Sequence, residues 1–253
     1  MKNNNFILES RNITKRYGSL VALDDVSIQL YRNEILALVG DNGAGKSTLI
    51  KILSGALLPD SGEIFIEGKK VHFYRPRDAK NLGIETVYQN LGLVEQLSIV
   101  KNLFLGKEII KRYGFLNILQ NKEMEIESMR MLEKLGIDIR DSTKIVSDLS
   151  GGQRQSVAIS KSVYWSKKII ILDEPTAALG VNEASKMLNL ILKLKEQGLS
   201  IIIITHNMEH AFMVSDRFFV LRLGKKVGEA VRMGTTVDDV VKMITGAIFV
   251  RNG

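Results

Sequence analysis

Apolar and polar residues alternate in three short stretches of the first third of the chain. These stretches cover residues 6 to 10, 26 to 30 and 63 to 68, which read FILES, VSIQL and EIFIEG. Alternation with a period of two is typical of strands that bury one face and expose the other. The pattern therefore predicts an antiparallel β region in this part of the sequence.

Three other stretches are continuously apolar instead of alternating. Residues 35 to 39, 169 to 172 and 201 to 204 read ILALV, IIIL and IIII. Unbroken apolar runs of this length are typical of strands in a parallel sheet that helices cover on both faces. The chain is therefore predicted to contain an α/β core in addition to the antiparallel β region.

A helix is predicted between the second and third of these runs, because four apolar residues share one face at helical spacing. They are Met187, Leu188, Ile191 and Leu192. Asn182 is suited to cap the start of this helix, and Gly198 is suited to its end.

Residues 90 to 165 contain no comparable strand pattern, and apolar residues there recur every three positions. These residues are Ile126, Met129, Leu132 and Leu135. The spacing predicts an α-helical subdomain over 90–165, inserted between the two parts of the α/β core at 1–89 and 166–253. Pro76 and residues 114 to 117 are interpreted as loops rather than as linkers between domains.

Composition excludes several classes of function. The 253-residue chain has no cysteine, so disulfides, a catalytic thiolate and cysteine-bound metal are excluded. The apolar runs fall far short of the ~18 residues that span a bilayer, and residues 1 to 5 do not begin a signal peptide, so any membrane role is expected to come from a partner. The net charge of +7 comes without a basic stripe interleaved with aromatics, and nucleic-acid binding is not expected.

Residues 40 to 48 read GDNGAGKST and carry the first candidate chemistry. The stretch fits G-x-x-x-x-G-K-[ST], follows a predicted buried strand and precedes a helical pattern, which is the context that a phosphate-binding loop requires. Backbone N–H groups of the loop and of the helix start would bind phosphate oxygens. Lys46 would reach the outer phosphates and Ser47 would ligate Mg²⁺. The alternative is a tight turn between strand and helix without a ligand.

Two carboxylates end the second apolar run, in IIILDEPT. Because side chains alternate along a strand, Asp173 and Glu174 are predicted to point in different directions and to have different roles. Asp173 is suited to Mg²⁺, directly or through water. Glu174 could accept a proton from the water that attacks a γ-phosphate. The alternative is that both residues form a solvated strand end before a proline turn.

Three further residues have both a functional and an ordinary interpretation. His206 follows the third apolar run, at the sheet edge where such folds bind ligands, and could donate to the γ-phosphate or orient the attacking water and Glu174. Gln89 could ligate Mg²⁺ or hold a water, although a loop glutamine usually has no such role. Tyr17 could stack on a base or be an ordinary surface aromatic.

Taken together and in this order, the motifs resemble the ATP-binding cassette family across nearly the whole chain. They are Tyr17, GDNGAGKST, Gln89, LSGGQ at 149 to 153, IIILDEP and ITH. The resemblance implies a P-loop NTPase with a RecA-like core, and an ATPase whose cofactors are ATP and Mg²⁺. In that family two cassettes pair head to tail, and the signature loop of one closes over the γ-phosphate that the other holds.

By resemblance, Glu174 is the expected catalytic base, His206 its companion and Lys46 a further catalytic residue, while Tyr17 would stack on adenine. The expected nucleotide-binding residues are Tyr17, Gly40, Asn42, Gly43, Ala44, Gly45, Lys46, Ser47, Thr48, Gln89, Ser150, Gly151, Gly152 and Gln153. The expected metal ligands are Ser47, Gln89 and Asp173. The LSGGQ loop begins a helix but has no lysine, so it is expected to form half of a site that a second cassette completes.

Three segments further resemble cassettes that energise the import of monosaccharides of the ribose, xylose and fructose type. They are PTAALGVNEA at 175 to 184, LRLGKKVGE at 221 to 229 and MITGA at 243 to 247. The resemblance implies a homodimer or a paired cassette at the cytoplasmic face of the cell membrane, with separate transmembrane permease subunits and a sugar-binding protein. Residues 97 to 106 would form the groove that receives a cytoplasmic helix of the permease.

The chain departs from the family pattern at one position, and the resemblance leaves alternative functions open. Gly180 stands where the family commonly has an aspartate that helps to link the two half-sites, so communication between them is expected to be weaker or carried by other groups. A cassette ATPase of another importer, or of a translation or DNA-maintenance machine, is one alternative, although tandem cassettes, a coiled-coil insertion or zinc-binding cysteines usually mark the latter. A nucleotide-binding regulator without turnover is another, against which Glu174 and His206 argue.

Overall fold

The computed structural model describes residues 6–113, 115–165, 168–177 and 179–247. Residues 1 to 5, on which the expectation about a signal peptide rests, lie outside this part of the chain. The strands are β1 (Phe6–Tyr17), β2 (Leu20–Tyr31), β3 (Ile35–Val39), β4 (Ser61–Ile66), β5 (Lys69–Val71), β6 (Ile84–Val87), β7 (Ile110–Tyr113), β8 (Leu116–Leu119), β9 (Ile169–Asp173), β10 (Ser200–Ile204), β11 (Arg217–Arg222) and β12 (Lys225–Val231). The helices are α1 (Lys46–Leu53), α2 (Pro76–Asn81), α3 (Ile99–Phe104), α4 (Asn121–Lys134), α5 (Gly151–Trp165), α6 (Val181–Glu196), α7 (Met208–Val214) and α8 (Val237–Thr245), with a 3₁₀ turn at Val146–Asp148.

Two sheets organise the chain, and both kinds of strand pattern are confirmed. The alternating stretches belong to β1, β2 and β4, which form an antiparallel sheet in the order β2-β1-β4-β5. The continuous apolar runs are β3, β9 and β10, which lie in a sheet of order β12-β11-β3-β10-β9-β6. All neighbours in that sheet are parallel except β11 and β12. The sequence pattern did not predict β5, β6, β11 or β12.

The apolar runs are buried on both faces of the parallel sheet. β3 and β10 are buried along their whole length, as is the apolar part of β9. Successive residues of one strand join two different apolar clusters, because side chains alternate between the faces of a sheet. In β3, Leu36 and Leu38 belong to one cluster, while Ile35, Ala37 and Val39 belong to the other.

A third apolar cluster joins α3, α4 and α5, with Leu103, Leu132 and Val157 fully buried. The spacing of three correctly predicted the helix α4, but its apolar residues do not all share one buried face, because Ile126 is 55% exposed. Ile126 and Leu135 are nine residues apart, about two and a half helical turns, so they lie on opposite sides of one helix.

The loop interpretation of Pro76 is wrong, and that of residues 114 to 117 holds only at Phe115, which lies in a turn. Residues 116 and 117 begin β8, which pairs with β7 as an antiparallel hairpin, while Gly114 lies outside the described residues. Strands of four residues are too short to show a clear alternating pattern. Pro76 is the first residue of α2, where the fixed φ of proline suits a helix and its missing N–H is not needed.

The ends of α6 confirm one predicted cap and contradict the other. Gly198 follows the helix with a φ of 89°, and its N–H donates to the carbonyl of Lys195 at 2.8 Å. Asn182 does not cap the start, because it lies within the first turn. Gly180 is the N-cap residue, and its N–H donates to the Glu183 carboxylate at 3.4 Å.

A buried ion pair ties the two sheets together at β11. The Arg217 guanidinium donates to both carboxylate oxygens of Glu34, at 2.7 and 3.1 Å, and to the Gln29 carbonyl at 2.6 Å. Burial opposes the charge of Arg217, but the hydrogen bonds to Glu34 prevail and raise the pKa of the guanidinium. Both residues are more than nine-tenths buried.

We expect Arg217→Met to lower the free energy of unfolding by about 3–5 kcal/mol, because the buried Glu34 carboxylate loses its only cationic partner among the described residues and keeps only the hydrogen bond from the Tyr31 N–H. Denaturant titration of the purified chain measures this change. Arg140→Met is the matched control, since Arg140 has a 92% exposed side chain in its ion pair with Asp138 and should cost less than about 1 kcal/mol. Equal losses in the two variants would contradict the role of the buried pair.

Candidate functional site

Polar residues from four parallel strands meet at one edge of the larger sheet. The loop at 40 to 45 follows β3, Gln89 follows β6, Asp173 ends β9 and His206 follows β10. The carboxyl ends of neighbouring parallel strands meet at the same edge, which is where open α/β sheets bind ligands. Tyr17 approaches the same region from the end of β1.

Most of these residues line one cleft of about 360 Å³. The predicted site residues in its lining are Tyr17, Asn42, Gly43, Ala44, Gly45, Lys46, Ser47, Thr48, Gln89, Asp173 and Glu174. Gly40 and His206 line an adjoining cavity of about 290 Å³, to which Asn42 also contributes. The structure therefore brings together eleven of the predicted residues in one cleft and places two more beside it, whereas the four from Ser150 to Gln153 lie elsewhere.

Glycine is required in the loop because the chain is packed tightly beneath it. A Cβ at Gly40 would lie 2.1 Å from the Leu221 carbonyl oxygen, and one at Gly45 would lie 2.6 Å from the Ala22 carbonyl oxygen. Both glycines also have left-handed φ values, of 149° and 104°. β11 and β2 thus hold the loop from below and leave its other side to the cleft.

The start of α1 supplies hydrogen-bond donors to this cleft. The N–H of Leu49 donates to the Gly45 carbonyl at 2.9 Å, which is the first bond of the helical ladder. The N–H groups of Lys46, Ser47 and Thr48 precede that bond, as expected for the first turn of a helix. They lie at the positive end of the helix dipole, so the cleft is suited to an anion.

Lys46 shares this cleft with two carboxylates. Its ammonium group donates to the carbonyl oxygens of Gly40 at 2.6 Å and Asp41 at 2.8 Å. Burial lowers the pKa of Lys46, against the opposing charges of Glu174, Asp41 and Asp173. Burial raises the pKa of Asp173, and the charge of Glu174 adds to that rise while Lys46 opposes it. A cation near Asp173 would relieve this cost.

Glu174 lies outside the strand that the sequence assigned to it. β9 ends at Asp173, and Glu174 has a left-handed φ of 51°, so the alternation along the strand does not continue. The prediction that Asp173 and Glu174 point in different directions is not supported, because both line the same cleft. The N–H of Glu174 donates to the Ile204 carbonyl at 2.9 Å, which ties this residue to β10.

The Glu174 carboxylate has one satisfied and one unsatisfied oxygen. Oε1 lies 2.9 Å from Nδ1 of His206, whose side chain is 74% exposed. Oε2 is buried and has no hydrogen-bond partner in the described part of the chain. A buried carboxylate oxygen without a partner is costly, so this atom is suited to a water or another ligand in the cleft.

The cleft residues fit a magnesium ion that binds together with phosphates. The Ser47 hydroxyl, the Gln89 amide oxygen and the Asp173 carboxylate are oxygen donors around one space. The described residues contain no cluster of three or more His, Asp or Glu that could hold an ion alone. Mg²⁺ bound with phosphates needs only one or two carboxylates and keeps several waters, so this donor set suits it.

The LSGGQ loop forms the start of α5, away from the cleft that contains Lys46. The Ser150 N–H donates to Oε1 of Gln153 at 3.0 Å, and the Gln153 N–H donates to Oγ of Ser150 at 3.2 Å. This reciprocal pair is a capping box, in which Ser150 caps α5 and Gln153 stands at its third position. Gly151 and Gly152 between them expose the first N–H groups of the helix.

None of the four residues from Ser150 to Gln153 lines the cleft that contains Lys46. Ser150, Gly152 and Gln153 line a separate cavity of about 510 Å³ beside α6. Sequence reasoning missed Glu183, whose Oε1 accepts a hydrogen bond from the Ser150 hydroxyl at 3.0 Å. The spacing of three between Gly180 and Glu183 is typical of a helix start and was the available signal.

Comparison with known proteins shows which families and proteins are similar in sequence to this chain. The sequence model of the ABC transporter family matches residues 23–177, more than half of the chain. The xylose/arabinose import ATP-binding protein XylG of Sulfolobus acidocaldarius is 48% identical over 94% of this chain and 94% of its own length. The fructose import ATP-binding protein FrcA of Rhizobium meliloti is 46% identical over 95% of this chain and 94% of its own length. The ribose import ATP-binding protein RbsA of Caldanaerobacter subterraneus subsp. tengcongensis is 40% identical over 95% of this chain, which spans 48% of that relative.

Solved structures with the same fold are ATP-binding cassettes. A nucleotide-free cassette from an ABC transporter superposes with a TM-score of 0.82 and 26% identity, over 94% of this chain and 98% of that one. A dimeric cassette in a post-hydrolysis state with ADP and phosphate bound gives a TM-score of 0.75 and 26% identity, over 90% of this chain and 100% of that one. The predicted fold class, a P-loop NTPase core with an antiparallel β region and an inserted helical part, is confirmed by this likeness.

Proposed function

The chain belongs to the ABC transporter family, whose ATP-binding subunits are ATPases, and from this premise we propose that it drives the import of a monosaccharide through separate membrane subunits. The observation that carries the proposal is the 48% identity to a xylose/arabinose import ATP-binding protein over 94% of both chains. The cleft supports it, because the phosphate loop and both carboxylates line one space.

ATP would bind along the cleft from Tyr17 to the start of α1. The Tyr17 ring is 47% exposed at one end of the cleft, where an adenine could stack on it. The loop glycines allow the backbone to approach the phosphates, and the N–H groups at the start of α1 would donate to them. Lys46 would exchange its bonds to the Gly40 and Asp41 carbonyls for bonds to the outer phosphates.

Mg²⁺ would be held by Ser47, Gln89 and Asp173 together with phosphate oxygens, and when bound it neutralises charge on the phosphates. Glu174 is suited to accept the proton of the attacking water, because its Oε2 faces no other partner in the described structure. His206 contacts Oε1 of the same carboxylate, so it would fix the orientation of the base. The reaction is transfer of the γ-phosphoryl group to water.

The second half of the working site would come from another cassette. Ser150 and the two glycines after it offer a hydroxyl and the N–H groups of a helix start, but no lysine. Ser150 and Gly152 line a cavity separate from the cleft, and Gly151 does not line the cleft either, so one copy does not combine both halves around one triphosphate. We therefore propose pairing of two cassettes, as a homodimer or with a related cassette. The dimeric cassette that binds ADP and phosphate supports this arrangement.

Residues 90–165 would form the helical unit that carries the signature loop and meets the permease, with 1–89 and 166–253 as the nucleotide-binding unit. A cavity of about 520 Å³ lies between them, next to the end of α3. Leu105 and Trp165 contribute apolar surface to it. A cytoplasmic helix of the permease would dock there, which would hold the chain at the cytoplasmic face of the cell membrane. Of residues 97–106, which the sequence assigned to this groove, only Leu105 lines the cavity.

The charge of this groove indicates what the docking helix carries. Its lining includes four lysines and one carboxylate, which are Lys51, Lys80, Lys107, Lys161 and Glu85. Lys80 already pairs with Glu85 at 3.1 Å. Burial lowers the pKa of Lys161 and of Lys107, so positive charge in the groove is costly without a partner. A permease helix with a carboxylate on its docking face would complement it.

Described residues include no helix that is both long enough and apolar enough to cross a membrane. Sugar uptake by host cells that lack the chain tests the proposed function. We expect loss of uptake for at least one sugar in a labelled panel of xylose, arabinose, fructose and ribose. The wild-type chain and the control Lys242→Ala, which removes a partly exposed lysine from the ion pair with Asp238 in α8, should restore uptake. Lys46→Ala should not, because it removes the cation that binds the outer phosphates.

Unchanged uptake of all four sugars would contradict monosaccharide import. Full restoration by Lys46→Ala would contradict the proposal that this cleft supplies the energy. Since both variants replace a lysine by alanine, a difference between them reports the position of the charge and not its loss from the chain.

A further inference from the structure

The Ser150 hydroxyl is fully engaged within the chain. Its oxygen accepts a hydrogen bond from the Gln153 N–H at 3.2 Å, and its hydrogen is donated to Oε1 of Glu183 at 3.0 Å. A serine hydroxyl has a single hydrogen to donate. While that hydrogen is donated to Glu183, Ser150 has none to offer to a phosphate.

Glu183 fits closely against the signature loop. A Cβ at Gly152 would lie 3.2 Å from the side chain of Glu183, so glycine there permits the approach of α6. The other carboxylate oxygen, Oε2, accepts from the Gly180 N–H at 3.4 Å. Lys186 lines the same cavity, but within the described residues no ion pair involves Glu183. Its negative charge therefore stands beside the loop without a neutralising partner.

We propose that Glu183 holds the Ser150 hydroxyl in the single cassette and must release it when a second cassette presents its nucleotide. The inference rests on the proposed function, because the competing ligand is the triphosphate bound to the second copy. A hydrogen bond to a carboxylate is about twice as strong as a neutral one. The same carboxylate also repels an approaching γ-phosphate. Glu183 is thus a positioning residue that raises the ATP concentration needed for pairing.

The chain connects this contact to the cleft of the same copy. Glu174 lies at the other end of the turn that leads into α6, where the Ala177 N–H donates to the Glu174 carbonyl at 3.1 Å. Gly180 caps α6, and Glu183 is three residues further along. A movement of this turn would therefore shift the Glu183 carboxylate relative to Ser150. Glu183 can carry the communication that an aspartate at position 180 provides in other family members.

The test compares pairing of variants as ATP is added. Glu183→Gln keeps the size of the side chain and an oxygen that accepts from Ser150, but it removes the charge. Glu196→Gln is the matched control, because it removes a carboxylate from the exposed end of the same helix, ~20 Å away at 1.5 Å per residue. All variants also carry Glu174→Gln to slow turnover, and light scattering measures the fraction of dimers at fixed protein concentration.

We expect Glu183→Gln to lower the half-maximal ATP concentration for pairing about tenfold, which corresponds to about 1.4 kcal/mol. The shift should shrink at high salt, since salt screens the repulsion between exposed charges. Glu196→Gln should leave the midpoint within about twofold of its parent.

An unchanged or higher midpoint in Glu183→Gln, with a parent that pairs normally, would overturn the inference. A lower melting temperature with an unchanged midpoint would also overturn it, because Glu183 would then only cap α6. If the parent itself formed no ATP-dependent dimers, the proposed function would fail before Glu183 is tested. The two failures are therefore distinguishable.

Discussion

Glu174→Gln should reduce steady-state ATP hydrolysis by about 10²–10⁴-fold while ATP-dependent dimers persist, because it removes a general base and leaves the phosphate-binding groups intact. Glutamine has nearly the size of glutamate, so the left-handed turn after β9 and the N–H bond to Ile204 can remain. Its amide oxygen does not accept the proton of the attacking water. The measurement pairs a phosphate-release assay with light scattering on the same sample.

Glu209→Gln is the control for this prediction. Glu209 is an exposed carboxylate in α7, three residues from His206, and does not line the cleft. We expect its hydrolysis rate to stay within about twofold of the wild type. Retained hydrolysis in Glu174→Gln would contradict the assignment of Glu174 as the general base. Loss of the ATP-dependent dimers together with hydrolysis would show that Glu174 also contributes to ATP binding or pairing.

Local patterns in the sequence were enough to predict the cleft. The loop at 40 to 48 and the apolar runs before Asp173 and His206 each combine a strand with the residues that follow it. Parallel strands then bring their ends to one edge, so short-range patterns determine a long-range arrangement. Gln89 and Tyr17 joined the predicted set through the family resemblance, and both line the cleft.

Contacts between distant parts of the chain could not be predicted in this way. Glu34 and Arg217 are 183 residues apart, and Ser150 and Glu183 are 33 residues apart. A glutamate in the first turn of a helix is ordinary, and only its distance to Ser150 gives it a further role. The direction of the Glu174 side chain could not be predicted either. Side chains alternate along β9, but the left-handed backbone of Glu174 ends that alternation after Asp173.

Ser150→Arg should abolish ATP-dependent pairing and lower hydrolysis more than a hundredfold, while the single chain still binds ATP. The long side chain would occupy the space that the partner's nucleotide needs, and the loss of the capping box should cost only ~1 kcal/mol of helix stability. ATP binding should change less than about twofold, because Ser150 does not line the cleft. Fluorescent-nucleotide titration and light scattering measure the two properties separately.

Ser147→Arg is the matched control, since Ser147 is an exposed serine in the 3₁₀ turn just before the signature loop and receives the same charge. It should pair normally. Loss of ATP binding together with pairing in Ser150→Arg, but not in the control, would mean that the loop has only a folding role.

Mixing two inactive variants tests whether each working site is divided between two chains. Ser150→Arg retains an intact cleft, and Lys46→Ala retains an intact signature loop. If each working site combines the cleft of one chain with the loop of another, the mixture contains one complete site per heterodimer, and hydrolysis should reappear although neither variant hydrolyses ATP alone. A mixture as inactive as its components would contradict the shared site. It is the result expected if each chain carried a complete site of its own, because two such chains could not compensate for each other's defects.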